Sequence, residues 1–232
     1  MEYMFLAGAG EPQNEKQLAA KVVSSFCPAD TQKTFVKYRN SIGPVNETKS
    51  VLDWNVGLEF ALADGKKKLA AAIRETPNVP YLIGYSLGAY VVSEFLEDYA
   101  AGKYPDRKIK GALLIASPRS VWPNGATGIA GAHGRYPLGT VHELRNKRDM
   151  ICGVQKGSPL LALPGIVAAT TGEFFPSSID SRVRWFSEGF AKIKRFPNYD
   201  DLLRIKGYVD GTEHVKSYFD SWTNDYLRRV LP

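Results

Sequence analysis

The chain has 232 residues, 44% of them apolar and 23% charged, with a formal net charge of +6. These proportions exclude a disordered chain, and the length suits one α/β domain over residues 1–232. The positive charge would suit an anionic cell envelope or a nucleic acid. Lys and Arg are scattered and no nucleic-acid motif accompanies them, so they read as a solvated surface with no nucleic-acid partner.

The opening Met1-Glu2-Tyr3-Met4-Phe5-Leu6-Ala7-Gly8 has no basic start and only a short apolar run, so it reads as a strand, Tyr3–Ala7, and not as a signal peptide. Leu18, Val22 and Phe26 recur at helical spacing, and Thr34–Tyr38 alternates like a strand. Ser50-x-x-Asp53 is a capping box that opens a long helix to about Glu75. Val79–Ile83 is the next strand, and Val91, Val92, Phe95, Leu96 and Tyr99 mark the helix after it. Gly111–Ala116 and Thr140–Leu144 are further strands. Residues 155–207 break the rhythm and read as a mostly helical insertion. They hold an apolar run at 159–169, then Phe174, Phe175, Trp185, Phe186, Phe190 and Phe196. Those aromatics suit core packing or, as a second reading, a surface facing an acyl groove. The stretch 158–172 comes nearest to a membrane span, but Pro159, Pro164 and Gly165 interrupt it, so no transmembrane segment is expected. Val215–Val230 is a final amphipathic helix. Strands alternating with helices imply a parallel sheet covered on both faces. Cys27 and Cys152 make no metal or redox motif and read as reduced, in a chain made in a cytoplasm.

Between strand Val79–Ile83 and its helix lies Gly84-Tyr85-Ser86-Leu87-Gly88, a G-x-S-x-G sequence. Strand, sharp turn, helix is the context that lifts a serine hydroxyl above a sheet, and the glycines allow the tight turn. A serine hydroxyl is a weak nucleophile until a base takes its proton. There are three histidines. His142 lies in the alternating Thr140–Leu144 and reads as a sheet residue. His133 lies in a glycine-rich loop ahead of every good acid candidate. His214 precedes the last helix, and in hydrolases of this kind the chain order is Ser, acid, His, so His214 is the candidate base. The acid must fix the imidazole tautomer. Asp149, after Thr140–Leu144 and a turn-like Arg145–Arg148, suits it best, and Asp210 is the rival. Asp180, Asp200 and Asp201 read as residues of helix N-termini.

Four segments carry a family resemblance: Phe5-Leu6-Ala7-Gly8-Ala9-Gly10-Glu11-Pro12, Gly84–Ala89, Asn146–Cys152, and Ser117-Pro118-Arg119 with Gly125–Gly134. On them the chain resembles the cutinase-like serine esterases, and within them the mycolylarabinogalactan esterases of mycobacteriophages, the lysin B family. The first segment is similar to the cutinase oxyanion loop, the second to a Gly-Tyr-Ser-Gln-Gly-Ala elbow, and the third to an Asp-Pro-Ile-Cys acid loop. The fourth is similar to the loop after the fifth strand in that group. The resemblance implies an α/β-hydrolase fold with a helical insertion before the base. It implies the catalytic residues Ser86, Asp149 and His214, and oxyanion donors from the backbone N–H groups of Ala9 and Leu87. No cofactor and no metal is implied. The implied substrate is the ester between mycolic acids and arabinogalactan, and the implied place of action is the cell envelope after phage lysis begins. Leu87 departs from the usual Gln, Ala9 from a hydroxyl residue, and Met150 from Pro. The cutinase disulfide at the acid loop has no second cysteine here. A general cutinase or lipase, and a non-enzymatic virion or binding protein on a hydrolase fold, are the alternatives.

Overall fold

The computed structural model describes residues 1–42, 56–137, 139, 141–163 and 197–232. Five parallel strands form one sheet: β1 (Glu2–Leu6), β2 (Gln32–Phe35), β3 (Tyr81–Tyr85), β4 (Gly111–Ile115) and β5 (Val141–Leu144), in the order β2-β1-β3-β4-β5. Helices α1 (Leu18–Val23), α2 (Leu58–Glu75), α3 (Leu87–Ala100), α4 (Tyr199–Val209) and α5 (Ser221–Val230) surround it.

Three of the central strands are buried along their whole length, which is why they read as apolar runs. The period-two alternation survives as a choice of face. Met4, Leu6, Leu82 and Leu114 point to one side and pack under α2 and α3. Tyr3, Phe5, Ile83, Leu113 and Ile115 point to the other and pack under α1 and α5. A third, smaller cluster of Ile129, Met150, Val154 and Leu160 joins the loop after β4 to the loop after β5. The strand β1 has β2 on one side and β3 on the other, so the winding direction reverses between β1 and β3. In an open α/β sheet a crevice opens at such a reversal, outside the carboxyl ends of the strands. The loops leaving β1 and β3 are therefore brought face to face.

Glu2 pins this arrangement from the opposite end. It is buried, and its carboxylate accepts hydrogen bonds from Thr34 Oγ1 at 2.7 Å, from Thr76 Oγ1, and from Asn78 Nδ2 at 3.1 Å. Burial raises its pKa, but the hydrogen bonds outweigh burial and leave it below the ordinary carboxylate value. A lowered native pKa means that Glu2 stabilises the fold above the unfolded pKa and loses that contribution as pH falls through the native one. The drop in melting temperature from pH 7 to pH 4 should therefore be smaller in Glu2→Gln than in wild type. An equal drop in both would show that Glu2 does not contribute.

Several boundaries differ from the sequence reading. The strand expected at Thr34–Tyr38 lies at Gln32–Phe35: the Val36 N–H still bonds the Phe5 carbonyl at 3.0 Å, but the Tyr38 N–H goes to Gln13 Oε1 at 2.7 Å instead of to β1. The first helix ends at Val23 and tightens into a 3₁₀ turn, Ser24–Phe26. The final helix is not continuous. A 3₁₀ turn, Lys216–Phe219, comes first, and extended Asp220 separates it from α5. Helix α2 is observed from Leu58, and the Ser50-x-x-Asp53 capping box lies outside the described residues. Most of the 155–207 insertion, with its six aromatics and Asp180, also lies outside them. Its described ends are a 3₁₀ turn at Pro159–Ala162 and the start of α4, which runs past residue 207 to Val209. Asp201 is the N-terminal residue expected: with Asn198 it forms a capping box on α4.

Two glycines of the turn after β3 are demanded by close approach. A Cβ on Gly84 would meet the Gly88 carbonyl oxygen at 2.6 Å, and a Cβ on Gly88 would meet the Leu6 carbonyl oxygen at 2.2 Å. The second obstacle is backbone of a neighbouring strand and cannot rotate aside. Gly88→Ala should cost about 3 kcal/mol, the upper end for overpacking, and lower the melting temperature by roughly 10 °C in a chain of this size. A melting temperature within about 2 °C of wild type would contradict the contact with β1.

Candidate active site

Ser86 is the residue between β3 and α3, and its backbone sits at φ 52° and ψ −115°. Positive φ is costly for a residue with a Cβ and persists only where the surroundings impose it. Here the Ser86 N–H is held by the Ile115 carbonyl at 2.9 Å, while its own carbonyl accepts the Tyr90 N–H at 3.0 Å. The side chain points at His214, with Oγ 3.1 Å from Nε2. On the far side of the ring, Nδ1 lies 2.8 Å from Asp149 Oδ2. A carboxylate at that distance accepts a hydrogen bond from Nδ1–H, which leaves Nε2 as an acceptor for the serine hydroxyl. Ser86, His214 and Asp149 thus form one hydrogen-bonded chain, although 128 residues separate the first pair and 65 the second.

Asp149 is fully buried, as a group that orients an imidazole should be. Its Oδ1 accepts the Ile151 N–H at 2.9 Å, and its own N–H bonds the Asn146 carbonyl at 3.1 Å, so the acid loop is a tight turn. The rival Asp210 is elsewhere. It caps the C-terminal end of α4, exposed, bonded to Thr212 and paired with Lys206 at 3.0 Å. Hydrogen bonds from Thr212, joined by Lys206, bring its pKa down to about 2. His142 lies on β5, in register with Leu113, where partial burial lowers its pKa. His133 is half-buried and stacks on Tyr136 with centroids 3.8 Å apart. Neither touches Ser86.

The loop after β1 faces the serine. The Gly8 N–H is bonded to Glu11 Oε2 at 2.7 Å, the Gly10 N–H to the Asn40 carbonyl at 2.8 Å, and the Glu11 N–H to the Gly8 carbonyl at 3.3 Å. The Ala9 N–H between them meets no acceptor among the described residues. The Leu87 N–H, first in α3, is likewise unengaged among them, as helix geometry requires. These are the two donors expected of an oxyanion hole. The other oxygen of Glu11 accepts the Leu18 N–H at 2.9 Å, so one carboxylate ties the loop to the start of α1. Burial pushes its pKa up, and the two N–H donors offset this only in part. Asn40 completes the frame, donating from Nδ2 to the carbonyls of Gly8 and Glu11 at 2.9 and 2.8 Å.

Some residues of the site escaped the sequence reading. Asn146 Nδ2 reaches Glu213 Oε2 at 2.7 Å and Ser217 Oγ at 3.0 Å, which ties the acid loop to the base loop. Tyr85 stacks on the imidazole with centroids 5.0 Å apart and donates its hydroxyl to the His214 carbonyl at 2.7 Å. Tyr208 of α4 lies 5.0 Å from the same ring. Tyr218 donates to Asp149 Oδ2 at 3.0 Å. Tyr85 lies inside the G-x-S-x-G turn and Asn146 opens the acid-loop segment, while Tyr208 and Tyr218 are ordinary residues in sequence. Among the described residues no group of His, Cys, Asp and Glu could hold a metal ion, and no helix is long and apolar enough to cross a membrane. Cys27 and Cys152 are both free.

The five-stranded parallel sheet with helices on both faces is the fold of a cutinase-like α/β hydrolase. No protein-family model and no curated protein matches the sequence. Among solved structures, the chain is similar to lysin B from Mycobacteriophage D29, with a TM-score of 0.57 at 16% identity over 94% of this chain and 90% of that one. It is also similar to the catalytic core domain of acetyl xylan esterase from Trichoderma reesei, with a TM-score of 0.53 at 16% identity over 83% of this chain and 96% of that one. At this identity the likeness establishes the fold, and chemistry must be argued from the site.

Proposed function

We propose that the protein is a serine esterase of the lysin B kind, cleaving the ester between mycolic acids and arabinogalactan in a mycobacterial envelope. The observation that carries the esterase reading is the unbroken hydrogen-bond chain from Ser86 through His214 to buried Asp149. Ser86 Oγ attacks the ester carbonyl while His214 Nε2 takes its proton. The N–H groups of Ala9 and Leu87 bind the oxyanion, the largest single contribution in acyl transfer. Collapse of the tetrahedral intermediate expels the alcohol, which His214 protonates. Water, deprotonated by His214, then attacks the acyl-enzyme and releases the acid and Ser86. Asp149 stays ionised throughout and steadies the imidazolium. Every step uses side chains and backbone of this chain.

The substrate rests on the motif resemblance and is supported by the fold likeness to a phage lysin B over nearly the whole chain. Action on the envelope after lysis begins belongs to the same proposal. The likeness to an acetyl xylan esterase favours a second reading, a general carboxylesterase of small acyl groups. Purified mycolylarabinogalactan separates the two. Release of free mycolic acid, lost in Ser86→Ala, is the expected result. Turnover of p-nitrophenyl butyrate with no mycolate released would leave the general esterase.

A further inference from the structure

The acid of the site carries more hydrogen bonds than orienting one histidine requires. Asp149 Oδ2 accepts from His214 Nδ1 at 2.8 Å and from the Tyr218 hydroxyl at 3.0 Å, and Cys152 Sγ lies 3.7 Å away. Tyr218 follows His214 by one tight turn, so a single short segment delivers both strong donors to the same oxygen. The tyrosine is fully buried, its ring edge-on to Tyr85 at 6.4 Å. Burial, with the Asp149 charge beside it, pushes the phenol well above its ordinary pKa. It therefore remains a proton donor at any working pH. Cys152 is held the same way, first by burial and then by Asp149, and stays a neutral thiol 3.4 Å from the phenol oxygen.

Resting on the esterase reading, we propose that Tyr218 is a positioning residue of the site, holding Asp149 Oδ2 against His214 and sharing its negative charge. A carboxylate that spends part of its charge on a phenol is a weaker partner for the imidazolium. Without the phenol hydroxyl, Oδ2 turns its full charge on His214, the imidazolium is favoured, and the base is protonated at higher pH. The carboxylate also loses one of the contacts that fix its rotamer. The other titratable groups facing the His214–Asp149 pair are Cys152 on the acid loop, Tyr85 at the end of β3, Tyr208 on α4 and Glu11 in the loop after β1. All four are common to wild type and a Tyr218 variant, so a difference between the two reports on the phenol.

The test is the pH profile of kcat/KM on p-nitrophenyl butyrate. In Tyr218→Phe the acid limb should move up by about half a unit to one unit, the effect of losing one hydrogen bond to a charged group. At the plateau kcat should fall roughly tenfold, as when partners that orient an active group are removed. Tyr81→Phe deletes a hydroxyl of the same core cluster that donates to the Ala112 carbonyl at 3.1 Å, so its acid limb should stay in place. An unmoved limb in Tyr218→Phe, or an equal shift in Tyr81→Phe, overturns the proposal. If Ser86→Ala retains turnover, the esterase reading fails instead. Should the Phe variant not fold, the wild type carries the test by proton NMR. A slowly exchanging Tyr218 hydroxyl proton with a cross-peak to the His214 Nδ1 proton is the expected signature, and its absence overturns the assignment.

Discussion

Ser86→Ala is expected to lower kcat on p-nitrophenyl butyrate by about 10⁴-fold or more while leaving the melting temperature near that of wild type. The serine hydroxyl is the group that would bond the acyl carbon, and nothing else in the described site stands in its place. Its loss should not unfold the chain, because the turn is held by backbone bonds to Ile115 and Tyr90 and by the close approach of Gly88 to β1. Relief of the positive φ is not expected either, since alanine carries the same Cβ. Ester turnover that survives in Ser86→Ala but stops with a chelator would abandon the serine mechanism.

Asp149→Asn comes second, with an expected loss of roughly 10³–10⁴ in kcat. The amide keeps the shape of the carboxylate. It can still accept through its oxygen, but an amide nitrogen in the Oδ2 position would oppose the Nδ1 proton of His214. The imidazole would then favour the tautomer that carries its proton on Nε2 and cannot accept from Ser86. The change also puts an amide nitrogen, which cannot accept, where Oδ2 accepts the Tyr218 hydroxyl. Asp210→Asn should change kcat by less than about threefold, in line with its exposed place bonded to Thr212 and Lys206. A larger loss at Asp210 than at Asp149 would move the acid.

Much of the site could be read locally. A strand, a G-x-S-x-G turn and an apolar-periodic helix are each short-range patterns, and the structure places the turn between β3 and α3. With three histidines in the chain, position alone separated His214 from His133 and His142. The run of elements also sufficed for a parallel sheet covered on both faces, because buried strands read as apolar runs and amphipathic helices as periodic ones.

What residue periodicity cannot carry is the identity of a partner far along the chain. It reports that a segment buries one face, not what it buries it against. The break between Phe219 and α5 was hidden because Tyr218 is as apolar as a helix position requires, while its hydroxyl is committed to Asp149. Asn40 is an ordinary loop residue in sequence, and nothing in the acid-loop segment tells what Asn146, at its start, bonds to. Each bridges two loops because the strand order brings those loops together. The same holds for the Ala9 N–H, which meets no acceptor among the described residues while Glu11 and Asn40 engage the N–H groups on either side of it. Sequence by itself determined the elements, the elbow and the short list of groups able to do the chemistry, since those follow from local geometry and residue type. Sequence position ranked Asp149 ahead of the nearer Asp210, but only tertiary structure brings the Asp149 carboxylate to His214 Nδ1 and leaves Asp210 at the surface. That choice depends on which loops leave the carboxyl edge of the sheet side by side, and on a buried pocket that holds one carboxylate dry while the other remains in water.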